Sequence, residues 1–294
     1  MTFVQLRVFV AVVERGGFTA AAEHLEMAQP SVSRAVGALE SELGARLLTR
    51  GKDGVQPTEA GRAAFTHGRE VLRRQDLLLA EVAAAAGRVS GVLRLASFQS
   101  VTAGLLPERL RALVARHPQV EVRLFDGTDH EVLAWVEQGA AEIGVVTLPC
   151  GSLETVSLAE DEMVAVLPAG HLLAAAPSVT MEALADEPFI LSTGGCEPII
   201  TAAARAAGVR LRPSYEAREV ATILAMVTAG LGVSIVPTLA LPPFPEGAVA
   251  RPLDPKVRRS LALAARSLTD LSPAARAFLE AAAEAPPSRG DQPR

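Results

Sequence analysis

The hydrophobic pattern of this 294-residue chain changes period near residue 91. Before that point apolar residues recur at helical spacing, interrupted by one short hairpin pattern. After it, short apolar runs at 92–96, 120–125, 143–147, 163–167, 189–192, 233–236 and 261–265 alternate with helical segments at 106–116, 130–138, 198–207 and 220–229. Alternating strand and helix requires a parallel or mixed α/β sheet, because parallel neighbours need a crossover between them. The length suits two or three domains. Aromatic residues make up only 4% of the chain, so aliphatic side chains must build its cores.

The first region reads as helices. Phe3, Leu6, Val10 and Val13 mark one over 3–14, ended by Gly16-Gly17. A short helix over 19–25 should bury Ala21, Ala22 and Leu25. A turn at Glu26-Met27-Ala28 leads to a third helix with Pro30 at its first position, where proline is tolerated. Its buried stripe is Val32, Val36, Leu39 and Leu43, and Gly44 closes it. Two short extended pieces around Gly51-Lys52-Asp53-Gly54 predict a β-hairpin. A long helix follows over 59–86. Its Leu77-Leu78-Leu79 run is too apolar to face water alone and calls for a partner helix. Gly87 and Gly91 bracket a linker. A last amphipathic helix spans 273–285, and the Pro-rich 286–294 tail is expected to be disordered.

Charge and cysteine content narrow the class. Residues 1–88 hold 11 Lys/Arg against 10 Asp/Glu, and the remainder 17 against 23, so the acidity lies in the second region. Cys150 and Cys196 lack CxxC spacing, which excludes a disulfide framework and a Cys-based zinc site. The histidines show no metal-ligand spacing, and no cofactor is expected. No stretch reaches eighteen uncharged apolar residues, and the N-terminus lacks a basic n-region with a cleavage site; the expectation is a soluble, cytoplasmic protein with no membrane contact.

Residues 19–40 carry the clearest chemistry. Two short helices join at a tight turn, and the second begins Gln29-Pro30-Ser31-Val32-Ser33-Arg34. With Val32 and Val36 inward, Gln29, Ser31, Ser33 and Arg34 stay near the exposed start. Gln suits adenine edges, Arg suits guanine, and Ser is adaptable; a helix N-terminus can also meet a phosphate. Arg50 and Lys52 stand at the hairpin, where a wing would touch backbone or minor groove. The residues alone equally allow a small helical bundle with a solvated polar face.

The segment FTAAAEHLEMAQPSVSRAVGALESELGARLLTR followed by GVQPTEAG resembles the signature of LysR-type transcriptional regulators. The shared positions are Phe18, Thr19, Ala21-Ala22, Leu25, Gln29-Pro30-Ser31, Ser33, Leu39-Glu40, Leu43-Gly44, Leu47-Leu48, Arg50 and Thr58-Glu59-Ala60-Gly61. LLPERLRALVARHPQVEVRL, EIGVV and MVTAGLGVSIVP resemble the family's effector domain, so the likeness covers nearly the whole chain. It implies a winged helix-turn-helix over 1–58, with Thr19 and Pro30 joining the DNA-facing set, and a linker helix over 59–88. Next comes a periplasmic-binding-protein-like (type 2) α/β effector domain over 91–285. Its subdomain I would be 91–163 plus 266–285 and its subdomain II 164–265, joined by two crossing strands. The partners implied are double-stranded DNA, a small-molecule effector, RNA polymerase if the output is activation, and further copies of the chain. These would form a homodimer through 59–88 and a homotetramer on DNA.

In open α/β sheets ligands bind beyond the carboxyl ends of strands. That rule selects Ser97, Gln99, Ser100 and Thr102 after the first strand, Thr128 after the second and Thr147 after the third. It also selects the 193–196 loop with Thr193 and Cys196, and Glu219. The family likeness places Ser100, Thr102, Thr128 and the 193–196 loop in the inter-subdomain cleft. Each Ser or Thr, singly, also suits an N-cap. Relatives that bind dicarboxylates carry an arginine after the third strand; here Val145–Pro149 holds no cation, which predicts a neutral or weakly anionic effector. Cys196 sits at an expected helix N-terminus, a setting that favours thiolate, but no second cysteine follows nearby. Residues 91–285 alone would also fit a solute-binding protein. An α/β enzyme would need a convergent nucleophile or metal set that the sequence lacks.

Overall fold

A computed structural model describes residues 1–51, 54–241 and 246–284, the side chains of Arg50 and Glu284 excepted. The expectations for Lys52, for the Arg50 side chain and for a disordered 286–294 tail fall outside the described residues. The chain divides into two compact units, Met1–Ala86 and Gly87–Arg294.

The first unit runs α1 (Phe3–Glu14), α2 (Phe18–His24), α3 (Gln29–Leu43), β1 (Leu48–Gly51), β2 (Gly54–Pro57) and α4 (Glu59–Ala85). Thr2 and Gln5 form a capping box that starts α1. The expected α1 stripe is corrected: Phe3 is exposed and Val13 half-buried, while Leu6, Val8, Phe9, Val10, Ala11 and Val12 are buried. Both sides of α1 are covered, because it packs on α2 and α3 and also on α4. Helix α3 buries Val32, Val36 and Leu39 as expected, whereas Leu43 is exposed at its end. Gly44 ends it in the left-handed region, φ 66°, which a glycine adopts at no steric cost.

Several signature residues turn out to fasten the β1–β2 hairpin. The Glu40 carboxylate accepts the Leu47 and Leu48 amides at 2.7 and 3.1 Å. The Thr58 hydroxyl donates to Arg46 O at 2.7 Å and accepts the Gly61 amide at 2.9 Å, capping α4. Gly61 admits the Leu47 carbonyl so closely that a Cβ there would lie 1.9 Å from its oxygen. Gly61→Ala should therefore lower stability by roughly 2 kcal/mol or more. Gly37→Ala in exposed α3, where nothing lies within 4 Å of the new Cβ, should leave it unchanged or slightly raised. Thermal unfolding of the two variants checks both.

The second unit runs β3 (Gly91–Phe98), α5 (Gln99–Gly104), α6 (Leu106–Arg116), β4 (Val120–Gly127), α7 (Asp129–Glu137), β5 (Ile143–Thr147) and β6 (Glu154–Pro168). It continues with α8 (Met181–Ala185), β7 (Phe189–Ser192), α9 (Glu197–Ala206), β8 (Pro213–Ala217), α10 (Val220–Thr228), β9 (Val233–Pro237), β10 (Ala248–Ala265) and α11 (Pro273–Glu284). A one-turn 3-10 segment, Thr238–Ala240, follows β9.

The sheet order is β4-β3-β5-β10-β6-β9-β7-β8. Strands β4, β3 and β5 run parallel, as do β9, β7 and β8. Between these halves stand β6 and β10, antiparallel to each other and to their outer neighbours. Two parallel lobes joined by two long crossing strands result, each lobe covered by helices on both faces. In the first lobe, side chains of α6 and α11 such as Leu113 and Phe278 fill one face and Val132 and Val136 of α7 the other. In the second lobe, Met181, Leu184, Ile200 and Ala204 cover one face and Ile223, Leu224 and Val227 of α10 the other.

Three expectations need correction. The segment after the first strand is not a loop: Ser97 belongs to β3, and Gln99–Gly104 forms helix α5. The long reach of β6 and β10 and the whole of β8 lack continuous apolar runs. The expected boundary at residue 265 is late, because Leu261–Ala264 already pair with β5 of the first lobe.

Candidate functional site

In the first unit, the start of α3 faces outward. Ala28 is its N-cap and supplies no side-chain hydrogen bond, so the first-turn amides are left without a side-chain cap. Gln29, Pro30 and Arg34 are exposed, Ser31 and Ser33 partly so, and Thr19 is exposed in the first turn of α2. An Arg34 Nη2 hydrogen bond to Ser31 Oγ at 3.1 Å brings those two together. Buried Val32 and Val36 anchor the helix from beneath. A helix held this way offers hydrogen-bonding side chains and an uncapped positive dipole end at one spot, which suits a groove edge and its phosphates.

In the second unit, residues of both lobes meet across a cleft whose floor is the pair of crossing strands. Arg259 of β10 lies opposite Asp161 of β6. Its Nε and Nη2 donate to Asp161 Oδ2 at 2.9 and 2.6 Å, with side chains 3% and 0% exposed. Asp161 Oδ1 accepts Thr238 Oγ1 at 2.6 Å and the Leu239 amide at 3.2 Å. Arg259 Nη2 also donates to Ser100 Oγ at 2.7 Å, and its guanidinium lies 5.2 Å over the Phe98 ring. From the second lobe, Cys196 Sγ stands 3.9 Å from Nη1. One buried ion pair thus touches the hinge, the start of α5 and the start of α9.

The expected effector residues take distinct places around it. Gln99 donates to Glu219 across the cleft, and Arg218 meets Glu131 at 3.5 Å. Thr102 donates to Asp126 at 2.9 Å. Thr128 is the N-cap of α7 in a capping box with Glu131, so its geometry is that of a cap; the Thr128 amide and hydroxyl hold the Glu131 carboxyl below the usual carboxylate range. The Thr147 amide donates to Asp129 Oδ1 at 3.2 Å. The Thr193 amide is taken by Ala217 O at 3.0 Å. Ser97 is fully buried, its hydroxyl turned to the adjacent Phe98 carbonyl.

Cys196 stands at the start of α9, as expected, but the thiolate that a helix start favours is opposed there. Burial pushes its thiol up, against the Arg259 charge that favours the thiolate. A buried, protonated thiol is inert by comparison with an exposed thiolate. Arg259, Asp161, Asp129 and Arg218 escaped the sequence reading. The available signal for Arg259 was an arginine pair just before the apolar run Leu261–Ala265, but Asp161 lies 98 residues away.

A helical unit with an open, polar helix start, on one chain with a two-lobed α/β unit closed around a cleft, defines a transcription regulator with its own ligand-binding domain. Two family models match: residues 3–62 as "Bacterial regulatory helix-turn-helix protein, lysR family" and residues 86–287 as "LysR substrate binding domain". The uncharacterized HTH-type transcriptional regulator YvbU of Bacillus subtilis is 34% identical, over 97% of this chain and 98% of that protein. Full-length CbnR in complex with its target DNA superposes with TM-score 0.67 at 25% identity, covering 96% of this chain and 99% of that one. A full-length OxyR variant from Pseudomonas aeruginosa shares the fold, with TM-score 0.76 at 24% identity over 100% and 99% of the chains. The chain belongs to the LysR family of transcriptional regulators, which are not enzymes. It carries the family's helix-turn-helix and effector-binding domains.

Proposed function

We propose that residues 1–58 read double-stranded DNA through α3, that the 59–88 helix pairs two copies, and that the cleft of 91–285 binds a small effector governing the output. The observation that carries the reading is the uncapped, exposed start of α3 with Gln29, Ser31, Ser33 and Arg34 around it. CbnR, of similar fold, has been captured on its target DNA, which supports the same use here. Two modules on a dimer would read a partly palindromic site, and two dimers would make the homotetramer. Arg50 and Lys52 of the hairpin would add backbone contacts. Gln99, Ser100, Thr102, Thr128, Thr147, Thr193, Cys196 and Glu219 would surround the effector, with no metal or cofactor. Ser97 would support the wall from behind. The protein would work in the cytoplasm and contact RNA polymerase where it activates.

A gel shift with the DNA upstream of its own gene, at about 100 mM salt, tests this. Specific binding is expected, and Arg34→Ala should weaken it by about tenfold or more, the worth of one good base contact. Equal affinity for specific and unrelated DNA would overturn the reading. Unchanged binding by the variant would remove Arg34 from it.

A further inference from the structure

The second lobe holds a pocket away from the cleft. It opens between the C-terminal half of α9, the turn after that helix and the start of β8, and its volume is about 540 Å³. Pockets of this size take small organic ligands. Cys196 caps the cleft end of α9, whereas Arg205 and Gly208 line the pocket at the other end. A helix of this length puts about 15 Å between the two, so the pocket is a separate site.

Its lining divides by chemistry. Leu191, Ile200 and Ala204 are buried and Val209 and Leu211 half-buried, and with Pro213 they make an aliphatic floor. Arg205 and Arg210 also line it, and both are exposed. Acidic residues outnumber basic ones in the chain, yet residues 198–215 hold three arginines and no Asp or Glu. Among the described residues neither Arg205 nor Arg210 forms an ion pair or a side-chain hydrogen bond.

A cation in the last turn of a helix ordinarily serves the free carbonyls there. In α9 those carbonyls are taken. The Ala207, Val209 and Gly208 amides donate to the Ala203, Ala204 and Arg205 oxygens at 3.1, 3.0 and 3.0 Å. The other wall is also shaped locally. Phe189 pairs with Pro213 and Ile190 with Tyr215, so Ser214 is an extra residue in β8. Such bulges re-aim an edge strand and gather beside functional sites.

We propose that this pocket binds an amphipathic monocarboxylate. Its aliphatic or aryl body lies on Leu191, Ile200, Ala204 and Leu211, and its carboxylate meets Arg205 and Arg210. Two guanidinium groups beside one apolar floor select a single anionic head. A dicarboxylate would bury its second charge among aliphatic side chains, and a neutral ligand would leave both arginines unused. The site is independent of the effector cleft and does not rest on it.

Calorimetry on the full-length protein tests this with octanoate and phenylbutyrate against octanamide, octylamine and succinate. Saturable binding of at least one monocarboxylate is expected, tighter by about tenfold or more than any of the other three. Arg205→Gln combined with Arg210→Gln should weaken it by about tenfold or more, because hydrogen bonds to charged groups are the strong ones. Thr201→Trp, one turn before Arg205 in the pocket wall, should abolish it by filling the space. All three positions are exposed, so both variants should melt with the parent. No binding by either monocarboxylate overturns the proposal. Binding that survives both variants overturns it too, since the carboxylate would then sit elsewhere, the cleft included. Octanamide binding as tightly as octanoate, or binding lost in the tryptophan variant alone, would overturn the part given to the arginines.

Discussion

Asp161→Ala should destabilise the effector-binding unit by about 3–5 kcal/mol, as expected when one partner of a buried ion pair is removed. The Arg259 guanidinium would be left 3% exposed, with Ser100 Oγ and the distant Cys196 sulfur as its remaining side-chain acceptors. The Thr238 hydroxyl and the Leu239 amide would lose their acceptor as well. An unpaired buried charge costs far more than the pair contributes, so the comparison that isolates it is a double substitution. Asp161→Leu with Arg259→Met removes both charges and fills similar volume, and should recover most of the lost stability. Urea unfolding of the parent, the two single variants and the double variant measures the coupling. Equal losses in single and double variants would mean that the pair is only packing. Function should part from stability in the double variant. Without Arg259, Ser100 at the start of α5 loses its anchor to the hinge, so a stable protein with a weakened effector response is the expected outcome.

Regular periodicity made the helices legible. The expected ranges for α1 and α6 coincide with the observed ones, and α7, α9 and α10 differ from theirs by one residue at one or both ends, because apolar residues recur at helical spacing along each, although α1 is covered on both sides. Helix α5, six residues reading QSVTAG, is too short to show a period. Strand β8 sits at the sheet edge with four of its five residues exposed, so PSYEA carries no apolar alternation. Outside their apolar runs β6 and β10 mix exposed, half-buried and a few buried residues without alternation, and hydrogen bonding between the two strands keeps them extended. Around the cleft, strand ends and helix starts indicated the loops. They could not indicate Arg259 with Asp161, because an ion pair across two crossing strands is a property of register between distant segments. For the signature residues Glu40, Thr58 and Gly61, local sequence held their identity but not their use. Each fastens the hairpin to α3 or α4, and that contact exists only in the folded unit.

Charging the outer face of α4, the proposed pairing surface, should abolish the proposed dimer and, with it, tight DNA binding. Val71, Leu78, Leu79 and Val82 are 40%, 63%, 61% and 64% exposed on this 27-residue helix. Val71, Leu78 and Val82 are spaced by seven and four positions, which puts them on one face, the repeat of a helix–helix seam. An isolated helix of this kind gains little from its apolar face in water. A second copy would bury that face. Replacing Leu78 and Val82 with glutamate in both copies withdraws four apolar side chains worth roughly 1.5 kcal/mol or more each, about 6 kcal/mol together. The dimer dissociation constant should then rise by about 10,000-fold, and like charges facing across the seam would add to it. Each remaining monomer could hold one half-site, so affinity for the full site should fall by about a hundredfold or more as the second contact ceases to be intramolecular. Equilibrium sedimentation and the gel shift read the two effects separately. A variant that stays dimeric would place the seam on another surface. A monomeric variant with parental affinity would show that one module suffices. The combined loss would establish α4 as the element that turns one weak reader into a paired one.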